Sequence, residues 1–254
     1  DVDAIYIATP HNFHLEQSLQ AINAGKSVLC EKPLTVNAAE CESLIEAARN
    51  SNVSVMEGMW TYFLPAMQQS KTWLDDGRIG KLVHIKADFG FKMPFNAQGR
   101  LYNPDLAGGS LLDVGIYPIA LTWLFAQALP AKIDVVSRFA ETGVDDDLAM
   151  LLSFRDFTAS LSCSFRATLP NRAFVVGDEG YIELPDFWSA RQCKLFTADK
   201  LIDEFDDARQ GSGFEFQIES FSQDILHKRK ESRIMPLSTS LALQTIMHAV
   251  RKEF

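Results

Sequence analysis

Along the first quarter of the chain, apolar residues gather into short unbroken runs: "DAIYIATP" (residues 3–10), "SVLCEKP" (27–33) and "VSVMEGMW" (53–60). Between the runs they recur at helical spacing, as Leu15, Leu19 and Ile22 in "HLEQSLQAINAG" and as Leu44, Ile45 and Ala48 in "NAAECESLIEAARNSN". Short apolar runs separated by amphipathic helices predict buried strands of a parallel α/β sheet, in units of roughly 30 residues. The first run has no polar lead-in and is predicted to be a fully buried strand. Gly25 is placed to stop the first helix, and Thr35 to Ala38 to cap the second.

After Pro65 the rhythm changes. A helix in "PAMQQSKTWLDDG" and the turn "GRIGK" lead into "LVHIKADFGF", where Val83, Ile85, Ala87 and Phe89 alternate with polar neighbours. A second helix is predicted within "GGSLLDVGIYPIALTWLFAQ". Five runs between residues 132 and 205 then alternate, from "KIDVVSRFAE" to "CKLFTA", as antiparallel strands with one covered face do. Two helices, in "GFEFQIESFSQDILHKR" and "STSLALQTIMHAVRKEF", close the chain. The expected fold is therefore α/β: a partial Rossmann-type parallel domain over residues 1–60, then an α+β domain over 61–254 with a large, open-faced, predominantly antiparallel sheet. In such a pair the ligand lies at the carboxyl ends of the parallel strands.

Composition narrows the partners. With 254 residues, 47% hydrophobic and 22% charged, the chain can bury a sizeable core. A net charge of −9, with one short basic run ("HKRKESR"), argues against nucleic-acid or anionic-membrane binding. No unbroken apolar run reaches the length of a membrane span. Cys30, Cys41, Cys163 and Cys193 stand far apart, signalling neither a disulfide framework nor a metal site, and a reducing cytoplasm is expected. Because the chain opens at Asp1 directly into a strand, the natural chain is expected to begin upstream.

Two segments carry chemistry. In "CEKP", the strand ends on Glu31 and Lys32 and stops at Pro33, so its last side chains project toward the cleft between the domains; a solvated Glu-Lys turn is the plain alternative. In "GGSLLDVGIYP", paired glycines permit close backbone approach. Asp113 and Tyr117, four residues apart, share a helical face, and Pro118 withholds a hydrogen bond from the carbonyl of Val114 and is expected to loosen the turn. A half-buried tyrosine with an incidental partner is the plain alternative there.

Together, "YIATPHNFH", "AGKSVLCEKPLTVNAAE", "LLDVGIYP" and "IESFSQDIL…ESRIMPLSTSLALQTI" resemble the Gfo/Idh/MocA oxidoreductases over essentially the whole chain. "MEGMWTYFLPA" and the tyrosine of "DVGIY" resemble more narrowly the dimeric dihydrodiol dehydrogenase branch, whose members also act as NADP-dependent D-xylose dehydrogenases. The resemblance implies a bound NADP or NAD beside Thr9, Pro10, Asn12, His14, Glu31 and Lys32, although "HNFH" alone could be a polar lead into a helix. It implies a cis Lys32–Pro33 bond. It implies that Tyr117 carries the proton, assisted by Lys32, with Asp113 orienting the pair or hydrogen-bonding a substrate hydroxyl, and that Trp60, Phe89, Trp188 and Phe214 form an apolar substrate wall, plain core being the alternative for each. Lowering a phenol from near 10 toward neutrality takes about 3 pH units, or roughly 4 kcal/mol, and the Lys32 ammonium has the right sign to supply much of it.

The glycine-rich phosphate loop and the ribose-reading residue of that family would precede Asp1, by roughly 60–70 residues of strand and helix. Relatives carry an arginine where Tyr62 stands. The implied activity is hydride transfer from an aldopyranose such as D-xylose, or from a trans-dihydrodiol, to the nicotinamide, in a homodimer joined through the open sheet face. The alternatives are a sugar oxidoreductase that never releases its cofactor and a non-catalytic nucleotide-binding regulator. No metal is expected.

Overall fold

The computed structural model describes residues 2–254. Strands β1 (Ala4–Ile7), β2 (Ser27–Glu31) and β3 (Val55–Gly58) alternate with helices α1 (His14–Asn23) and α2 (Ala38–Ser51), and the strands pair in parallel in the order β1-β2-β3. β2, central and apolar, is buried at Val28, Leu29 and Cys30. β1 differs from the sequence expectation: among the described residues it pairs with β2 alone, and of its residues Ile7 is buried while Tyr6 is 52% exposed. Gly25, at φ 69°, takes the left-handed conformation that ends α1. α2 begins at an Asn37 N-cap, whose Oδ1 accepts from the Glu40 amide at 2.9 Å, while Glu40 Oε2 accepts from the amide of the preceding Val36 at 3.3 Å.

The second layer holds α3 (Pro65–Asp75), β4 (Leu82–Gly90), α4 (Ile116–Ala126), β5 (Lys132–Phe139), β6 (Asp145–Ser153), β7 (Thr158–Ser164), β8 (Arg172–Gly177), β9 (Tyr181–Pro185), β10 (Gln192–Thr197), β11 (Lys200–Asp206), α5 (Phe214–Leu226) and α6 (Leu237–Arg251). Its eight strands run β11-β10-β9-β8-β4-β7-β6-β5, antiparallel except for the central pair β4 and β7, which is parallel. Alternation sets the faces: Leu148, Met150 and Leu152 of β6 are buried in the main core, while Ala149 and Leu151 face outward. β11 was not foreseen. Ala198 and Asp199 both take positive φ, so the two-residue turn of this hairpin is of the type usually marked by Asn-Gly, and "TADK" carries no such mark.

α6 returns from the second layer to the first. Leu237 joins the apolar cluster under α2, Gln244 Nε2 donates to the Thr35 carbonyl at 2.5 Å and Arg251 Nη1 to the Val36 carbonyl at 2.9 Å. The stretch Pro104–Ala126 is long and apolar enough, by length and composition, to span a membrane, contrary to the reading of unbroken runs; here it is mostly buried as the core helix beneath the large sheet.

Candidate active site

β2 delivers its terminal residues to the seam between the two layers. The Lys32–Pro33 peptide is cis. The turn beyond it is tied down at two points: the Leu34 amide donates to Glu57 Oε1 on β3 at 2.9 Å, and the fully buried His14 places its ring nitrogens 2.8 Å from the Pro33 carbonyl oxygen and 2.9 Å from that of Thr9. His14 thus straps the end of β1 to the end of β2.

Opposite Lys32 stands the start of the helix that leads into α4. Gly108 and Gly109 let this chain run against its neighbours: a Cβ on Gly108 would meet the Leu101 carbonyl oxygen at 2.7 Å, and one on Gly109, at φ 123°, would meet Asp145 Oδ1 at 2.4 Å. Asp145 Oδ2 accepts from Ser110 Oγ at 2.8 Å and from the Leu111 amide at 2.6 Å, fixing the helix start. The first turn, Leu111–Gly115, is π-helical. That wider turn precedes Pro118 and is the loosening its missing N–H predicts.

The result is a ring of charge around Asp113. Lys32 Nζ donates to the Asp113 carbonyl at 2.5 Å and lies 3.3 Å from Oδ1; Arg100 Nη1 donates to Oδ1 at 2.9 Å; His11 Nε2 stands 3.8 Å away. Burial would push the Asp113 carboxyl up, but Lys32 and Arg100 outweigh it and hold the group down to about 2. Burial likewise opposes the Lys32 ammonium, yet its neighbours Tyr117 and Asp113 keep it above the ordinary lysine value. His11 is lowered to about 4, by burial and by the charge of Lys32.

Tyr117 lies on the other side of Lys32, whose Nζ is 4.9 Å from the phenol ring centroid, over the ring. Its hydroxyl oxygen accepts from Trp60 Nε1 at 3.1 Å. Here the structure corrects a sequence expectation. Burial of the phenol outweighs Lys32 and Trp60, and Tyr117 is held above the ordinary tyrosine value rather than drawn toward neutrality.

Two cavities meet at this cluster. One, of about 270 Å³, is lined by Thr9, Pro10, His11 and Glu31; the other, of about 240 Å³, by Phe89, Phe91, Tyr117 and Trp188; Lys32, Arg100 and Asp113 border both. The first lies at the carboxyl ends of β1 and β2, where ligands of such sheets bind, and is polar, with Lys32 and Arg100 balanced by Glu31 and Asp113. Its donor set and its contact with Lys32 fit a nicotinamide and its ribose. The second is aromatic with a charged end, a shape for a small ring bearing hydroxyls. Among the described residues, no cluster of His, Cys, Asp and Glu could hold a metal ion.

The sequence candidates distribute unevenly over this geometry. Thr9, Pro10, Glu31 and Lys32 line the first cavity; Asn12 is exposed and His14 enclosed, and neither lines it. Phe89 and Trp188 line the second, whereas Trp60 and Phe214 stand outside both, stacked on each other at 4.4 Å behind Tyr117. Tyr62 is buried and donates to the Ala120 carbonyl at 2.6 Å, so its side chain serves the core and not a cavity wall. His11, Arg100 and Phe91 were missed. His11 and Phe91 sat inside quoted motifs, "HNFH" and "DFGF", whereas Arg100 lies in a loop without periodicity.

Comparison with known proteins gives this geometry its context. Residues 1–59 match a model described as an oxidoreductase family with an NAD-binding Rossmann fold, and residues 67–183 match the GFO/IDH/MocA C-terminal domain. Trans-1,2-dihydrobenzene-1,2-diol dehydrogenase of Mus musculus is 35% identical over 260 residues, 99% of this chain and 77% of that protein. The Homo sapiens enzyme of the same name is 34% identical over 99% of this chain and 77% of its own length. Among solved structures, an aldose-aldose oxidoreductase from Caulobacter crescentus, complexed with glycerol, superposes with a TM-score of 0.90 at 25% identity, covering 99% of this chain and 77% of that one. A 3-ketoreductase from Actinomadura kijaniata, in complex with NADP and TDP-benzene, gives 0.84 at 28% identity over 99% and 78%. With a Rossmann part and a C-terminal domain both matched, and curated relatives aligned across nearly its whole length, the chain belongs to the Gfo/Idh/MocA family of NAD(P)-binding oxidoreductases.

Proposed function

We propose that the protein is an NAD(P)-dependent dehydrogenase that oxidises a secondary or anomeric hydroxyl of an aldopyranose such as D-xylose, or of a trans-dihydrodiol, with Tyr117 as proton carrier. The observation that carries this reading is the meeting of Lys32, Asp113 and Tyr117 at the wall between a polar and an aromatic cavity. The names of the mouse and human relatives support the diol, and that of the Caulobacter relative supports the sugar.

A nicotinamide held in the first cavity supplies the hydride acceptor, with Thr9, Pro10, Glu31 and Lys32 as its neighbours. The protein's own residues manage the proton. Asp113, anionic at every physiological pH, anchors the Lys32 ammonium; Lys32 in turn lays a positive charge across the Tyr117 ring and favours the phenolate through space. Because burial holds the phenol protonated at rest, Tyr117 is poised to donate a proton to a carbonyl and must first lose one to accept from a hydroxyl. Reduction is therefore expected to run readily at neutral pH, and oxidation to accelerate as the medium becomes alkaline.

The test is nicotinamide reduction by the protein, with NADP and NAD separately, over a panel of aldoses and trans-diols, followed by Tyr117→Phe. Loss of the carrier is expected to lower the rate about 10²- to 10⁴-fold with little change in nucleotide binding; a variant with full turnover would remove Tyr117 from this role. The likeness to the aldose-aldose oxidoreductase favours a second reading, in which the cofactor stays bound and a second sugar is reduced. Nucleotide that survives dialysis, with turnover that needs two sugars and no added nucleotide, distinguishes it.

A further inference from the structure

Granting Tyr117 the proton-carrier role proposed above, on which this inference rests, the phenol oxygen must be held and its proton aimed. Among the described residues a single protein hydrogen bond reaches that oxygen, from Trp60 Nε1 at 3.1 Å. An indole N–H can only donate, so the phenol oxygen accepts and the polarity of the contact is unambiguous. With that side taken, the hydroxyl proton and the remaining lone pair turn away from Trp60, and the free side of Tyr117 is the aromatic cavity it lines with Phe89 and Trp188. Lys32 does not compete for the oxygen. Its ammonium is committed to the carbonyl and carboxylate of Asp113 and meets Tyr117 over the ring.

Trp60 is itself held against movement. It opens the turn that follows β3, its indole is stacked on Phe214 at 4.4 Å and 19°, and Trp188 meets it edge-on at 5.9 Å and 80°. Gly213, at φ 107° immediately before α5, admits this packing, since a Cβ there would stand 3.1 Å from Trp60 Cζ3. Trp60 lines neither cavity. Its place is behind the tyrosine.

We propose that Trp60 is a positioning residue for proton transfer: its indole N–H aims the Tyr117 hydroxyl into the substrate cavity and stabilises the negative charge left on the phenol oxygen when the proton departs. In the oxidative direction the phenolate oxygen forms a bond to the substrate's hydroxyl proton as the substrate O–H bond breaks; Trp60 keeps its own proton throughout. A hydrogen bond to a charged group is worth more than one to a neutral group, so the contact strengthens as charge develops.

Two measurements test this. The four tryptophans give four indole N–H resonances in the ¹⁵N-labelled protein. Tyr117→Phe removes the acceptor and is expected to move the Trp60 resonance upfield and speed its exchange with solvent; no shift in that resonance overturns the proposal. Assignment follows from Trp60→Phe or, if that variant does not fold, from Trp73→Phe, Trp123→Phe and Trp188→Phe by elimination. In turnover, Trp60→Phe keeps an aromatic ring and loses the donor. Its oxidative kcat is expected to fall roughly 10- to 100-fold at neutral pH with KM little changed, and the deficit to shrink as pH rises and the phenolate forms without help. A deficit equal at all pH values means only a loosened site and sinks the idea. The indole resonance needs no turnover, so the contact can fail while Tyr117 remains the carrier, and Tyr117 can fail as carrier while the contact stands.

Discussion

His11 shows how a single buried group ties the site to stability. Packed between the layers, it faces the Asp113 carboxylate, the Lys32 ammonium, the His14 ring at 5.7 Å between centroids and the Ala107 carbonyl oxygen at 3.3 Å from Nδ1. Its pKa is about 4 in the folded chain and ordinarily near 6.5. Below 6.5 the unfolded chain takes a proton that the folded chain refuses, so this contribution to stability is complete above pH 6.5 and is lost as pH falls toward 4. The gap corresponds to roughly 3 kcal/mol. Urea unfolding at pH 7, 5.5 and 4.5 is expected to show the loss in the wild type and a flatter profile in His11→Gln; parallel profiles would remove His11 from the acid response. Asp113 acts lower on the scale, its depressed carboxyl giving up stability only as pH drops through the ordinary carboxylate range to about 2. The places of Lys32, Asp113 and Tyr117 followed from local rules, a strand end and an i,i+4 helical spacing, while their chemical roles came only with the family resemblance. The Trp60 contact with Tyr117 was not legible, since it joins residues 57 apart on different elements, and sequence spacing carries no trace of such a pair.

The helix start that presents Asp113 and Tyr117 depends on a glycine that sequence reading justified only as close approach. At Gly109 the reason is double: a left-handed φ of 123° and an Asp145 carboxylate where a Cβ would stand. Gly109→Ala is therefore expected to cost about 1–3 kcal/mol through strain, and to push Asp145 off the Ser110 and Leu111 donors that hold the first turn. Thermal unfolding should drop by several degrees, on the order of 2–4 °C per kcal/mol for a chain of this size. Turnover should fall further than stability alone explains, because the π-helical turn aims Asp113; unchanged melting and turnover would show the turn to be self-sufficient. The contrast with β11 is instructive. Both features rest on positive φ, but the turn at 108–109 is announced by glycines, whereas that at Ala198 and Asp199 is imposed on ordinary residues by pairing with β10. Backbone conformation that tertiary pairing enforces leaves no composition signal.

At the scale of the whole molecule, the alternation that made the sheet readable also leaves one of its faces unclaimed. Val136, 71% exposed, pairs across β5 and β6 with Ala149, and Leu151, 43% exposed, pairs across β6 and β7 with Ser160. With Lys86, Asp88 and Asp134 they surround a shallow depression of about 410 Å³. We propose that a second copy of the chain covers this face. A two-fold pairing places each patch against itself, so an apolar centre flanked by both signs of charge can satisfy itself, Lys86 of one copy against Asp134 or Asp88 of the other. A stable pair would bury on the order of 1,200–2,000 Å², which a face five or more strands wide can supply. Light scattering is expected to give twice the chain mass at micromolar concentration. The double variant Val136→Asp with Leu151→Asp, which sets like charges against each other in the apolar centre, is expected to give one chain mass with an unchanged circular dichroism spectrum. Neither side chain touches the two cavities at the seam, so the separated copies should keep nucleotide binding, and a wild-type protein of single-chain mass would leave this face to solvent.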